Sequence, residues 1–342
     1  MKAKWKEVKL NLIHPFTIAR GTRTHYDSII LTLEHNSITA YGEAVPTARY
    51  DEDAEKVKAA LASIDFESEP FDDPFKLEDI DSACRDNPLM TPSAIAAMNI
   101  AYWDLQGKLL GQPLYRLWGL NPLKSLISTF TIGIDEIDVI KQKVREAEIY
   151  PILKVKQGLD NDREIISAIR ELTDKPIRVD ANEGWTKEEA LEKIEWLSGQ
   201  NVEFIEQPLP ADKLDESAWL KERSPLPIVA DENSMTKEDI PKIAHAFDGI
   251  NIKLMKCGGP TEALKMIHTA RSFGLKIMLG CMCESSIAIG AAAHLSPLAD
   301  WADLDGNLLL SNDPYRGIDV KEGKLLLPDR PGIGVEPIGD DR

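Results

Sequence analysis

Two patterns of apolar and polar positions divide the chain. From about residue 128, short apolar runs alternate with stretches of helical periodicity. The runs are Thr129–Gly133, Ile152–Gln157, Ile177–Ala181, Val202–Gln207, Pro227–Asp231, Gly249–Leu254, Lys276–Gly280 and Asp300–Asp303. Their starts lie roughly 25 residues apart, the length of a strand, a helix and two short connections. Between them, Thr186–Gly199 opens with Thr186 and Glu189 in capping-box spacing and carries Ala190, Leu191, Ile194 and Leu197 at helical intervals. Thr236–Phe247 begins the same way, with Asp239 in the acidic slot. Glu262–Ser272 runs out at Phe273-Gly274, where glycine suits the left-handed residue that ends a helix. Eight strands alternating with helices close most simply into a (β/α) barrel. An open doubly wound sheet normally carries a glycine-rich phosphate loop after an early strand, and Gly258-Gly259 alone does not make one.

The first 125 or so residues follow another pattern. Lys4–Leu12 and Ser28–Glu34 read as strands of an antiparallel sheet, and Glu52–Ile64 and Pro92–Leu110 as helices, the second starting after Thr91 as N-cap. The expected fold class is α/β: a (β/α)7β TIM-type barrel over 126–310, preceded by an α+β capping domain over 1–125. Residues 311–342 are expected to close the barrel and return towards the capping domain, with Gly323–Val335 as a strand and tail.

Composition narrows the function. Of 342 residues 43% are hydrophobic, enough for a sizeable core, and 40 Lys+Arg against 57 Asp+Glu leave a net charge of −17. That balance argues against nucleic acid or an anionic membrane as partner, since phosphates are repelled. No run approaches the roughly 18 apolar residues that cross a bilayer, and MKAKWKEVKLNL has no apolar core of a secretory signal, so a cytoplasmic protein is expected. Cys84, Cys257, Cys281 and Cys283 have no redox or zinc spacing and read as reduced thiols. The six histidines form no ligand set, which argues against a zinc hydrolase.

Chemistry enters at the strand ends, where a (β/α) barrel places its catalytic groups. Nearly every run finishes on a charge: Lys154 and Lys156, then Asp180, Glu206, Asp231, Lys253, Glu284, and finally Asp303 and Asp305. A single carboxylate after an apolar run is ordinarily a loop residue. Asp180, Glu206 and Asp231 fall on three consecutive strands, about 4.8 Å apart in a sheet, and would repel one another without a cation. An all-oxygen set suits a hard ion such as Mg²⁺. Lys154 and Lys156 share one face of the preceding strand, and Lys253 ends the following one. A metal on a substrate carboxylate stabilises the enediolate formed when the neighbouring carbon loses its proton. A lysine among other cations and partly desolvated is expected to have a lowered pKa and to act as base. Two lysines on opposite faces of one carbon give racemisation or epimerisation without a redox cofactor.

The stretches LKVK (Leu153–Lys156), VDANEGW (Val179–Trp185), IEQPLP (Ile205–Pro210), ADENS (Ala230–Ser234), NIKLMKCGG (Asn251–Gly259), DLD (Asp303–Asp305) and PGIGV (Pro331–Val335) occur in this order. As a set they resemble the enolase superfamily, muconate-lactonising-enzyme subgroup, and within it the dipeptide epimerases. The resemblance implies that Asp180, Glu206 and Asp231 ligate one Mg²⁺ per subunit, that Lys156 and Lys253 are the acid/base pair, and that Lys154 helps to neutralise the substrate carboxylate. It implies that Asn182 and Glu232 support the metal ligands and Lys253, respectively, and that Asp303 and Asp305 bind a dipeptide ammonium. Lys256 lies past the strand end and is left outside the proton-transfer pair. Glu284 is a further substrate-binding candidate, and no histidine is available there as an alternative base. Thr17–Tyr26 and Thr47–Asp53 are candidate lid segments.

The departures concern specificity. Gly21 stands where glutamate-specific members carry a side-chain-binding arginine, with Arg20 and Arg23 beside it; strand alternation aims Arg23 like position 21. Asn233 and Glu183 replace a more usual serine and glutamine. The activity expected is two-base 1,1-proton transfer through an enediolate on L-Ala-D/L-Glu or a related L-Xaa-Xaa dipeptide, in murein peptide metabolism, by a homo-oligomer. N-acylamino-acid racemase, o-succinylbenzoate synthase and cycloisomerase are alternatives that have no use for Asp303/Asp305. A non-catalytic ligand-binding barrel would be expected to have lost an acid/base lysine.

Overall fold

The computed structural model describes residues 1–339. Strands β1 (Lys2–Ile18), β2 (Gly21–His35) and β3 (Ile38–Ala44) form an antiparallel sheet. β3 is not among the expected strands: Asn36 and Ser37, at φ 49° and 65°, make the tight reversal that hairpins favour without the usual glycine. Helix Pro92–Leu109 packs on this sheet, and Thr91 Oγ1 accepts from Ala94 N at 3.3 Å as its N-cap. Helix Ala54–Ala62 starts two residues later than expected because Asp53 is its cap, accepting from Lys56 N at 2.8 Å. Helix Leu77–Asp86 is a further element that the periodicity did not reveal.

All eight strands expected for the barrel are present: β4 (Phe130–Ile132), β5 (Leu153–Lys156), β6 (Ile177–Asp180), β7 (Val202–Glu206), β8 (Ile228–Ala230), β9 (Gly249–Lys253), β10 (Lys276–Gly280) and β11 (Trp301–Ala302). They are parallel and lie side by side in sequence order. A bridge from Ser128 to Ala302 and the bond from Thr129 N to Ala302 O at 3.2 Å join the first strand to the last. The strand period of two sends Val155, Val179, Ile205 and Ile252 into the main apolar core. Their neighbours Lys156, Asp180, Glu206 and Lys253 therefore take the opposite, inner face at the strands' C-terminal ends.

The helix after β6 spans Lys187–Leu197 with its capping box formed as expected. The one expected over Thr236–Phe247 shrinks to Ile240–Ile243. Asp239 does accept from Thr236 N at 3.0 Å, but Pro241 has no N–H to extend the turn backwards. Beyond the barrel, Leu325 N donates to Leu126 O at 3.1 Å, and Ile333 N to Asp104 Oδ1 at 2.9 Å in helix Pro92–Leu109. Among the described residues no helix is long and apolar enough to cross a membrane.

Candidate active site

A cavity of about 550 Å³ lies between the C-terminal ends of the barrel strands and the β1–β2 hairpin. Lys156 and Lys253 line it from β5 and β9, the strands on either side of those that supply the acidic triad. One oxygen or more from each of Asp180, Glu206 and Asp231 falls within a 4.8 Å cluster, and all three residues are buried. Four lysines hold this charge. Lys156 Nζ is 2.6 Å from Asp180 Oδ2, and Lys253 Nζ is 2.8 Å from Asp231 Oδ2. Lys154 Nζ, deeper in the barrel, lies 2.7 Å from Glu206 Oε2 and 3.2 Å from Asp180 Oδ2. Lys256 Nζ meets Asp231 Oδ1 at 2.5 Å.

The electrostatics follow from burial set against these pairs. Burial opposes ionisation of Asp180 and Asp231, yet the adjacent lysines hold both carboxyls below their ordinary values. Glu206 is raised instead, by burial and by Asp180. A lowered pKa is the sequence-based expectation for the acid/base lysines; Lys253 shows the opposite. Burial lowers it, but Asp231 and Glu206 hold its ammonium well above the ordinary range. Lys154 is held there in the same way, against burial, by Asp303, Glu206 and Asp180. The expectation counted neighbouring cations and left out carboxylates in direct contact.

The triad fits a hard divalent cation. Its donors are all carboxylate oxygens, and Glu206 Oε2 accepts no well-directed hydrogen bond although Lys154 Nζ is close. A cation held there would draw on oxygens with which the lysines now pair.

Asp303 and Asp305 both line the cavity, with unequal surroundings. Asp303 Oδ2 is paired with Lys154 Nζ at 2.7 Å, and Oδ1 accepts from Thr129 Oγ1 at 2.5 Å. Asp305 Oδ2 accepts from Thr131 N at 2.6 Å, and burial together with Asp303 pushes its pKa up to about 7. Arg23 lines the cavity over the Tyr26 ring, 5.4 Å from its centroid, and makes no ion pair among the described residues.

Two expected placements change, those of Glu284 and Glu232. Glu284 does not line the cavity: it is buried behind Cys281–Cys283, accepts from Met282 N at 2.7 Å, and burial raises its pKa to about 8. Glu232 pairs not with Lys253 but with Arg20, whose Nη1 is 2.8 Å from its Oε1. Burial and Asp231 raise the Glu232 pKa to about 7. Asn182 supports Asp180 through its main chain, N donating to Asp180 Oδ1 at 2.9 Å, because its backbone is left-handed at φ 46°.

Glu183, which in the sequence is a simple departure, gathers four donors. Arg49 Nε and Nη2 each donate to it at 2.9 Å, Arg20 Nη1 at 3.2 Å and Ala211 N at 2.9 Å. Both candidate lid segments are thus tied to the loop after β6. The first is the tip of a hairpin, and the second contains the 3₁₀ turn Ala48–Tyr50. Gly158, at φ 108°, admits the tip: a Cβ there would lie 2.9 Å from Ala19 Cβ. Arg49 lies in no motif and Glu183 is only a departure within VDANEGW, since their meeting depends on how the capping sheet docks.

A closed parallel barrel with an acidic triad flanked by lysines under a capping sheet defines a class of metal-assisted proton-transfer enzymes. The family model described as mandelate racemase / muconate lactonizing enzyme, N-terminal domain, matches residues 2–119, and the enolase C-terminal domain-like model matches 138–341. The chain belongs to the enolase superfamily, in its muconate-lactonising subgroup. It is similar to L-Ala-D/L-Glu epimerase of Bacteroides thetaiotaomicron, 47% identical over 99% of this chain and 88% of that one. It is also similar to the structure of a dipeptide epimerase from Enterococcus faecalis complexed with Mg and L-Leu-L-Tyr, at a TM-score of 0.88, 33% identity and 98% coverage of both chains. An N-succinyl Arg/Lys racemase from Bacillus cereus superposes at a TM-score of 0.91, with 29% identity and 99% and 96% coverage. The chain is an isomerase of the racemase and epimerase kind acting on amino-acid derivatives.

Proposed function

We propose that the protein is a Mg²⁺-dependent dipeptide epimerase that inverts the α-carbon of the C-terminal residue, with L-Ala-D/L-Glu as its leading substrate. The observation that carries this reading is that Lys156 and Lys253, beside the acidic triad, share one cavity with Asp303 and Asp305 from the end of the last strand. Asp180, Glu206 and Asp231 would hold the ion. When bound, Mg²⁺ supplies positive charge that stabilises the negative charge developing on the substrate carboxylate as the α-proton leaves.

The chain's own groups do the rest. One of Lys156 and Lys253, as the neutral amine, takes the α-proton, and the other, as ammonium, returns a proton to the opposite face. Proton number is conserved and the configuration inverts. Lys154 offsets carboxylate charge from below. Asp305 receives the dipeptide ammonium, helped by Asp303, whose charge is already shared with Lys154 and Thr129. Arg23, the cavity arginine without a carboxylate partner among the described residues, meets an acidic side chain; Arg20 and Arg49 are engaged by Glu183 and Glu232. The hairpin tip and the Ala48–Tyr50 turn cover the site and exclude water. The B. thetaiotaomicron relative supports the glutamate preference.

The test is chiral chromatography of L-Ala-L-Glu, L-Ala-D-Glu, apolar L-Ala-L-Xaa dipeptides and N-succinyl amino acids incubated with protein and Mg²⁺. Interconversion of the two Ala-Glu diastereomers, with the preference for Glu lost in Arg23→Ala, is expected. Turnover confined to N-succinyl amino acids would replace this reading with that of a racemase.

A further inference from the structure

Lys256 and Asn251 have no place in the mechanism above, yet they are buried and meet the triad from the side away from the cavity. After β9 the chain makes a single helical turn, Leu254–Cys257, and ends it at Gly258 with φ 89°. That turn folds Lys256 back beneath Asp231. Gly258 and Gly259 let helix Pro92–Leu109 press against it, since added Cβ atoms would lie 2.9 Å from Ile95 Cγ2 and 2.6 Å from Asn99 Cβ. The position of Lys256 is thus set by packing between the capping helix and the barrel.

The Lys256 ammonium has three N–H groups and three acceptors: Asp231 Oδ1 at 2.5 Å, the Asp231 main-chain oxygen, and Asn251 O at 3.1 Å. No donor is left for a substrate, and Lys256 does not line the cavity. Asn251 Nδ2 in turn donates to Glu206 Oε1 at 2.7 Å. A continuous path runs from Glu206 through Asn251 and Lys256 to Asp231. It ties down one oxygen of each carboxylate and leaves Glu206 Oε2 and Asp231 Oδ2 outside the strut. Without it, Glu206 keeps only Lys154 and Asp231 only Lys253, each on the oxygen outside the strut.

We infer that Lys256 and Asn251 are positioning residues that hold Glu206 and Asp231 in place for the divalent cation; this rests on reading the triad as a metal site. Removing such a partner of a metal ligand typically weakens metal binding about 10–100-fold. Lys256 contributes an ammonium that stays out of the reaction, whereas Lys253, three residues earlier, faces the substrate cavity.

The experiment is Mn²⁺ titration of the full chain, followed by electron paramagnetic resonance of the free ion and by calorimetry, with no substrate present. Native protein should bind Mn²⁺. Lys256→Met and Asn251→Ala should each weaken binding about tenfold or more, and Lys256→Arg, which keeps charge and donors, should recover most of the loss. His294→Ala, a buried polar change elsewhere, should leave the Mn²⁺ affinity unchanged. Mn²⁺ affinity within twofold of native in folded Lys256→Met or Asn251→Ala would overturn the inference. If Lys256→Met does not fold by circular dichroism, Asn251→Ala decides it by the same criterion. Failure of native protein to bind Mn²⁺, or an Asp180→Asn variant that binds as well as native, would instead reject the metal reading itself.

Discussion

Replacing Glu183 with glutamine tests whether the capping segments act through the contacts that bring them onto the barrel. The native carboxylate accepts from Arg49 Nε and Nη2, Arg20 Nη1 and Ala211 N. Each carboxylate oxygen accepts from two of these donors, so an amide that keeps one acceptor oxygen loses two contacts and turns an N–H₂ group towards a guanidinium or a main-chain N–H. A charge-assisted bond contributes about 1.5–3 kcal/mol when shielded. Here the arginine side chains are 35% and 37% exposed, and screening reduces each contact to about 0.5–1 kcal/mol. Glu183→Gln should therefore destabilise the covered state by roughly 1.5 kcal/mol, about a tenfold effect. Covering the site is a binding step, so KM should rise about tenfold while kcat changes less than threefold. The assay is steady-state epimerisation of L-Ala-L-Glu, with thermal melts to show an intact fold. A KM within twofold of native would refute the reasoning, as would a fall in kcat alone.

Two further outcomes depend on pH. The Asp305 carboxyl, raised to about 7, is protonated in the acid limb and cannot then bind an ammonium as an anion. Between pH 5.5 and 7.5 KM should fall as pH rises, and Asp305→Asn should abolish that slope and raise KM at pH 7.5 at least about tenfold; a native KM independent of pH would contradict the assignment. The Glu284 carboxyl, raised to about 8, binds its proton more tightly folded than unfolded. Its contribution to stability is present below the ordinary carboxyl range, near pH 4, and is lost as pH rises towards 8. Urea unfolding at pH 5 and 8 should show a smaller pH-dependent loss in Glu284→Gln than in native protein; an unchanged loss would show that Glu284 does not carry it.

The barrel was legible because parallel strands buried on both faces are written as continuous apolar runs, and each functional run ends on a charge. Asp180, Glu206 and Asp231 could be read as one cluster because β6, β7 and β8 are adjacent in both sequence and space. What escaped depended on contacts no local pattern records. Lys256 looked like a residue past the end of a strand, and only the one-turn helix and the pressure of the capping helix bring it under Asp231. The Glu232–Arg20 pair and the four-donor Glu183 cluster require the hairpin to dock over the barrel. The capping signal at Thr236–Asp239 was real, but Pro241 limited what it could nucleate. Glu284 lies four residues beyond the end of β10 and is turned behind the cavity wall, a difference that strand spacing does not encode.

Two-base proton transfer at the α-carbon is most directly tested by deuterium uptake. L-Ala-L-Glu and L-Ala-D-Glu are each incubated in D₂O and Mg²⁺ with native protein, Lys156→Ala or Lys253→Ala, then separated and weighed by mass spectrometry. Native protein should give both diastereomers with a gain of about one dalton. Each lysine variant should lose epimerisation and retain exchange, if any, in one diastereomer only, the opposite one for the two variants. Full epimerisation by either variant, or no deuterium in any dipeptide with native protein, would contradict the account.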